Sequence, residues 1–203
     1  LIDDLKTPIA LSPDGVHLAF VRGDENGTSL LIANADGTGM RVLAHVAGQT
    51  VFGTFDNNNG PAWSPDAKVI ACPMMSNGEP LQMSVTAVQV ADGSMTRIGS
   101  RQWYLIGQMG WLSDGSGLIM TAQEKMPPAS TSQIWMLSYP GGEARSLTTD
   151  LSYYRGLSVT ADSTTLVTTR TAQVSNMWIV SGFPETQVTA VAASKNKGWG
   201  GLT

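Results

Sequence analysis

The chain has a single cysteine in 203 residues, which excludes an internal disulfide framework and leaves the redox compartment open. Cys72 sits inside the strand-like run "KVIACPM", so it reads as a buried, inert thiol. Charge is also sparse. Twelve basic residues against sixteen acidic ones leave a net charge of −4, too little positive surface to hold a phosphate backbone, so nucleic acid is not an expected partner. No apolar run approaches the roughly 18 residues needed to span a bilayer, and no basic-then-apolar leader opens the chain. This segment is therefore not expected to insert into a membrane. The start at Leu1 rather than Met reads as a piece of something longer. Also missing are a Gly-x-Ser-x-Gly elbow, a kinase catalytic loop, an Asp-Phe-Gly and a Gly-rich phosphate loop. The two histidines, His17 and His45, fall within or beside predicted strands of the first repeat, where a structural role outweighs a Ser-His-Asp triad. No catalysis and no cofactor are expected.

What the chain does have is a repeat. "GPAWSPDAKVIACPM" has relatives in "IALSPDGVHLAFV", "MGWLSDGSGLIMT" and "GLSVTADSTTLVT". Their turn aspartates Asp14, Asp66, Asp114 and Asp162 are spaced by 52, 48 and 48 residues, a period that signals a repeat architecture. In the first copy Ser12-Pro13-Asp14-Gly15 suits a type I turn, since proline presets φ at the second position and glycine is favoured at the fourth. Each copy then predicts four strands. The first are Ile9–Leu11, Pro61–Trp63, Gln108–Trp111 and Gly156–Val159; the second Val16–Val21, Lys68–Cys72, Gly117–Thr121 and Thr164–Thr169. The third are Leu30–Ala33, Val85–Val90, Gln133–Leu137 and Asn176–Val180; the fourth Arg41–Leu43, Thr96–Ile98, Ala144–Leu147 and Gln187–Thr189. No segment holds a helical apolar period for three turns. Four strands joined by hairpins make a sheet too small to bury both faces alone, and such sheets stack radially as propeller blades. The expectation is an all-β propeller with blades at about 9–46, 60–100, 106–150 and 154–191. Trp199 to Thr203 read as the start of a further blade, so the ring is expected to be incomplete, and its open edges suggest a homodimer.

"WSPD" ahead of a hydrophobic strand, followed later by "SQIWMLSYPGGEARSLTTD", resembles the WD40-like repeat of TolB-type β-propellers. The longer stretch "SYPGGEARSLTTDLSYYRGLSVTADSTTLVTTR" is similar to the C-terminal propellers of some bacterial receptor-type serine/threonine kinases. The resemblance implies a non-catalytic sensor or interaction scaffold attached to a larger bacterial protein. Similar blades also stand before the hydrolase domain of prolyl-oligopeptidase-type peptidases, where the implied role is a substrate gate. Low charge with abundant Ser and Thr points to an extracytoplasmic setting.

The candidate site comes from the connections between blades. "HVAGQTVFGTFDNNNG", "GSRQWYLIG", "DLSYYRG" and "ASKNKGWGG" hold Phe52, Phe55, Trp103, Tyr104, Tyr153, Tyr154 and Trp199, half of the fourteen aromatic residues. In an up-and-down blade these connections emerge on one face of the disc, with Arg101 and Arg155 beside them. Aromatics and arginine are enriched at binding hot spots, yet large rings also serve as wedges between blades. Trp103, Tyr104, Tyr154 and Arg155 are the chosen binding residues, for a protein or small-molecule ligand, because each has a polar neighbour. One metal lead remains: Asp56 and Asn57 to Asn59 offer oxygen ligands of the kind calcium accepts, against the ordinary reading of an Asn-rich loop.

Overall fold

The computed structural model describes residues 5–53, 59–76, 78, 80–126, 131–172, 174–181 and 187–195, the last two stretches as backbone only. The repeat turn builds the inner hairpin of each unit. The Ser12 hydroxyl donates to the Asp14 carboxylate and accepts from the His17 backbone N–H, while Gly15 N–H donates to the Ser12 carbonyl across the expected type I turn. Ser64 and Asp66 repeat this arrangement in the second unit, and Thr160 and Asp162 repeat it in the fourth. In the third, Leu112 brings no hydroxyl, and Ser116 donates to Asp114 instead.

Every strand that the repeat predicts is present, and the described residues contain no helix. The first blade is β1 (Ala10–Leu11), β2 (His17–Asp24), β3 (Gly27–Asn34) and β4 (Arg41–Val46), antiparallel and in chain order. In the second blade the innermost strand is in two pieces. Both β5 (Thr50–Phe52) and β6 (Ala62–Trp63) pair with β7 (Val69–Ser76), and β8 (Gln82–Gln89) and β9 (Met95–Arg97) follow. The third blade is β10 (Leu105–Trp111), β11 (Gly117–Gln123), β12 (Gln133–Ser138) and β13 (Ala144–Ser146). The fourth unit consists of two hairpins, β14 (Tyr153–Val159) with β15 (Leu166–Thr171) and β16 (Val174–Ser181) with β17 (Gln187–Lys195), and no ladder joins β15 to β16 among the described residues.

Side-chain alternation along a strand explains why the sheets stack. Ile70 and Cys72 of β7 join a core with Ala19, Val21, Leu30 and Ile32 of the first blade. Their neighbours Val69 and Ala71 turn the other way, into a core with Ile106, Leu118, Met120 and Trp135 of the third. A sheet buried on both faces reads as a continuous apolar run, which is the pattern of "VIAC". Cys72 is fully buried, and that burial pushes its thiol pKa up, as expected for an inert thiol. The innermost strands touch in succession, β1 with β6, β6 with β10 and β10 with β14, giving the stacking of a β-propeller.

Two first strands begin earlier than the sequence suggests, at Leu105 and Tyr153 rather than Gln108 and Gly156. Gly107 and Gly156 read as the ends of connections, but each lies at a β-bulge, where a strand absorbs an extra residue and continues. Tyr153, Tyr154 and Arg155 consequently belong to β14 and not to a free loop. The expected opening of a further blade, residues 198–203 with Trp199, lies outside the described residues, as do Phe55, Asp56, Asn57 and Asn58 of the calcium lead.

Candidate functional site

The bulges in β10 and β14 lie where adjacent blades meet, and side-chain amides bridge them. Asn59, just before β6, donates from Nδ2 to the Ile106 carbonyl of β10. Gln108, within the β10 bulge, accepts through Oε1 from the Leu157 N–H of the β14 bulge, at 2.9 Å. A bulge leaves backbone groups without a ladder partner, and these amides satisfy one at each seam. On the far side of β14, the Thr168 hydroxyl donates to the Gly156 carbonyl at 2.8 Å. The seam geometry is therefore held from both sides.

The four sequence-chosen residues divide between two cavities. Trp103 is only 1% exposed and packs in the core between the second and third blades, its ring edge-on to Trp135 with centroids 6.2 Å apart. It forms a reciprocal backbone bridge with Met83, and the next residue, Tyr104, donates its N–H to Gln123, so the chain passes from the second blade to the third at this point. Tyr104 is half-buried. Trp103 and Tyr104 line a cavity of about 890 Å³ with Leu81, Gln82, Glu124 and Lys125. Arg101 lies over the Trp135 ring at 4.4 Å and pairs with Glu124.

Tyr154 and Arg155 line a second cavity, of about 310 Å³, with Gly107, Gln108, Thr121 and Tyr153. As neighbours on a strand they project to opposite faces. The Tyr154 ring is 8% exposed and packs with Ile119, Ile134 and Leu157, a wedge between the third and fourth blades. Its hydroxyl donates to Asp150 at 3.1 Å, and Asp150 also pairs with Arg170 at 3.0 Å. Burial first, then the bond to Asp150, pushes the Tyr154 phenol pKa up. Arg155 is exposed, and its guanidinium sits 5.0 Å from the Tyr153 ring centroid. In each of the pairs 103–104 and 153–154 one aromatic is buried in a core and the other is only half-buried, which a list of residue types does not distinguish.

The sequence reading missed Asn59 and Gln108 as seam clamps. The signal for Gln108 was its place beside Gly107, a glycine inside a strand pattern. The histidines are apart in role: His17 lies against Trp63 with ring centroids at 6.4 Å, and His45 Nδ1 hydrogen-bonds the Ser29 hydroxyl at 2.9 Å as its direct cross-strand partner. No carboxylate orients His45 among the described residues, and the Ser29–His45 bond is exposed. No group of three metal-ligating side chains and no helix long and apolar enough to cross a membrane occurs among the described residues. Cavities lined by aromatics, amides and one or two charges are suited to binding.

No family model and no curated protein matches the chain. Solved structures do. The chain is similar to TolB from Acinetobacter baumannii, at 18% identity and a TM-score of 0.63 over 91% of this chain and 43% of that one. It is similar to oligogalacturonate lyase from Vibrio parahaemolyticus at 11% identity and a TM-score of 0.60, covering 92% and 52%. The β-propeller domain of the Trilobed protease from Pyrococcus furiosus matches at 14% identity and a TM-score of 0.52, covering 95% and 56%. The chain spans roughly half the length of these proteins. At such identities the likeness concerns the fold alone, which is a β-propeller.

Proposed function

We propose that the chain is a non-catalytic β-propeller recognition module of a larger bacterial protein, a sensor or scaffold of the kind attached to receptor-type kinases, working outside the cytoplasm. The observation that carries this reading is the pair of cavities at the seams between blades, each with an accessible polar aromatic or cation at its wall: Tyr104 in one and Arg155 in the other. Buried Trp103 and Tyr154 hold those walls in place. A rigid wall lowers the ordering cost of binding.

A substrate gate for a peptidase is the second reading, favoured by the fold likeness to the Trilobed protease propeller. Both readings assign this chain binding and no turnover. We also propose that two copies pair through the apolar rim of β1, where Ile9, Leu11 and Val16 are exposed.

A metabolite and peptide library screened by thermal shift tests the module. Hits should be lost in Tyr104→Ala or Arg155→Ala while each variant keeps the unliganded melting temperature. Hits that survive both substitutions remove the crossover face as the docking site. Turnover of a peptide or ester substrate, abolished by His45→Ala, would show an enzyme instead.

A further inference from the structure

We infer that the cavity between β10 and β14 receives the primary carboxamide group of a neutral ligand, at the place where the preceding seam holds the side chain of Asn59. The inference rests on the reading of the blade seams as the docking region and names the chemistry of one seam.

The repeat sets the comparison between the two seams. Asn59 lies seven residues before the turn aspartate Asp66, and its Nδ2 donates to the carbonyl of Ile106, eight residues before Asp114 in the next blade. One period later these two positions are Gly107 and Tyr154. Glycine has no side chain to reach across the seam, and among the described residues no side chain donates to the Tyr154 carbonyl. Gln108 does not take over the task, because its Oε1 accepts from the Leu157 N–H further along β14. The third blade thus keeps an amide at its seam but leaves the carbonyl that Asn59 serves one repeat earlier.

The cavity at this place is polar and uncharged. Gly107, Gln108, Thr121, Ser132 and Tyr154 line it. A side chain on Gly107 would run into the Thr121 hydroxyl, so that hydroxyl stands where a residue at 107 would enter the seam. Thr121 is 2% exposed and Ser132 5%, and neither hydroxyl makes a hydrogen bond among the described residues. A buried hydroxyl without a partner carries a desolvation cost that a polar group in the cavity removes. The one charged residue of the lining, Arg155, projects from the opposite face of β14 to Tyr154. A carboxamide combines two N–H donors, for the Tyr154 carbonyl, with an acceptor for the Thr121 hydroxyl on one neutral group. A carboxylate would bring no donor to that carbonyl, and an ammonium would bring a charge that no acid on this wall neutralises.

The test records amide NMR spectra of the full chain with acetamide and with acetone, which matches it in size but has no N–H donor. Acetamide should shift the Gly107, Ser132 and Arg155 amides and bind roughly fivefold tighter than acetone, the size of one neutral hydrogen bond. A blocked asparagine peptide that shifts the same amides places the group on a peptide side chain, whereas acetamide shifts without peptide shifts place it on a small amide. Thr121→Ala should weaken acetamide roughly fivefold. Adding Gly107→Asn to that variant returns a tethered carboxamide to the seam, since the backbone at Gly107 is not left-handed and the obstructing hydroxyl is gone. The double variant should melt above Thr121→Ala and no longer respond to acetamide. Acetone binding as tightly as acetamide, no acetamide shift, or a double variant that melts no higher than Thr121→Ala would overturn the carboxamide assignment. Shifts confined to Tyr104, Glu124 and Lys125 would overturn this cavity as the site while leaving the seams as the docking region.

Discussion

The Trp111 indole donates from Nε1 to the Ala62 carbonyl of the preceding blade, at 2.9 Å. One repeat earlier Trp63 does the same to Ala10, at 3.2 Å. The tryptophan just before the repeat turn is thus a clamp from one innermost strand to the one before it. Both rings are also largely buried, so they combine apolar burial with a satisfied polar handle. Trp111→Phe should destabilise the chain by about 1 kcal/mol through the lost hydrogen bond. Trp111→Ala should cost about 3–5 kcal/mol. Urea unfolding checks both. A Trp111→Phe variant as stable as the parent chain would mean that the indole N–H contributes nothing.

Ala67 closes the second repeat turn with φ at +57°, where the first and third turns place Gly15 and Gly115. A Cβ in this left-handed region costs about 1–2 kcal/mol, part of which glycine returns to the unfolded chain as entropy. Ala67→Gly should therefore raise stability by about 0.5–1 kcal/mol. A lowered thermal midpoint would show that packing of the Ala67 methyl in the adjoining core outweighs the strain.

The turn aspartates make stability depend on acid. The hydroxyl of Ser12, Ser64 or Thr160 holds Asp14, Asp66 or Asp162 below its usual range, and Asp162 is lowered to about 2. A carboxylate with a depressed folded pKa contributes stability above its unfolded pKa of about 4, and that stability is lost as pH falls through the folded value. Stability should then be flat at neutral pH and decline from about pH 4 towards about pH 2. Asp162→Asn should remove part of this slope in acid melts, and an unchanged slope would exclude the turn as its source.

Leu11 stands where Trp63 and Trp111 stand in later blades, and it is 57% exposed, with Val16 at 51% and Ile9 at 44%. If two copies pair through this rim, sedimentation velocity should show a concentration-dependent dimer. The double variant Leu11→Glu, Val16→Glu should be monomeric with its melting temperature retained. A monomer at every soluble concentration would remove the pairing.

Much of the fold was legible because the Ser-Pro-Asp turn is a local device. Its hydroxyl, carboxylate and left-handed fourth position lie within six residues, so each copy announces a hairpin without help from the rest of the chain. The stacking was legible too, since a sheet of four short strands is too small to bury both faces alone. The bulges were not legible, because glycine carries the same signal at a bulge as at the end of a connection, and only pairing with β11 or β15 shows that the strand continues.

From sequence alone came the repeat, its strands, the turn chemistry and the gathering of aromatics near the blade crossovers. Tertiary structure decided which of those aromatics are accessible. Trp103 and Tyr154 went into cores, whereas Tyr104 stayed half-buried and Arg155 exposed, and the four were split between two seams. The physical reason is the two-residue period of a strand: adjacent side chains point to opposite faces, and what covers each face belongs to a blade some 48 residues away in the chain.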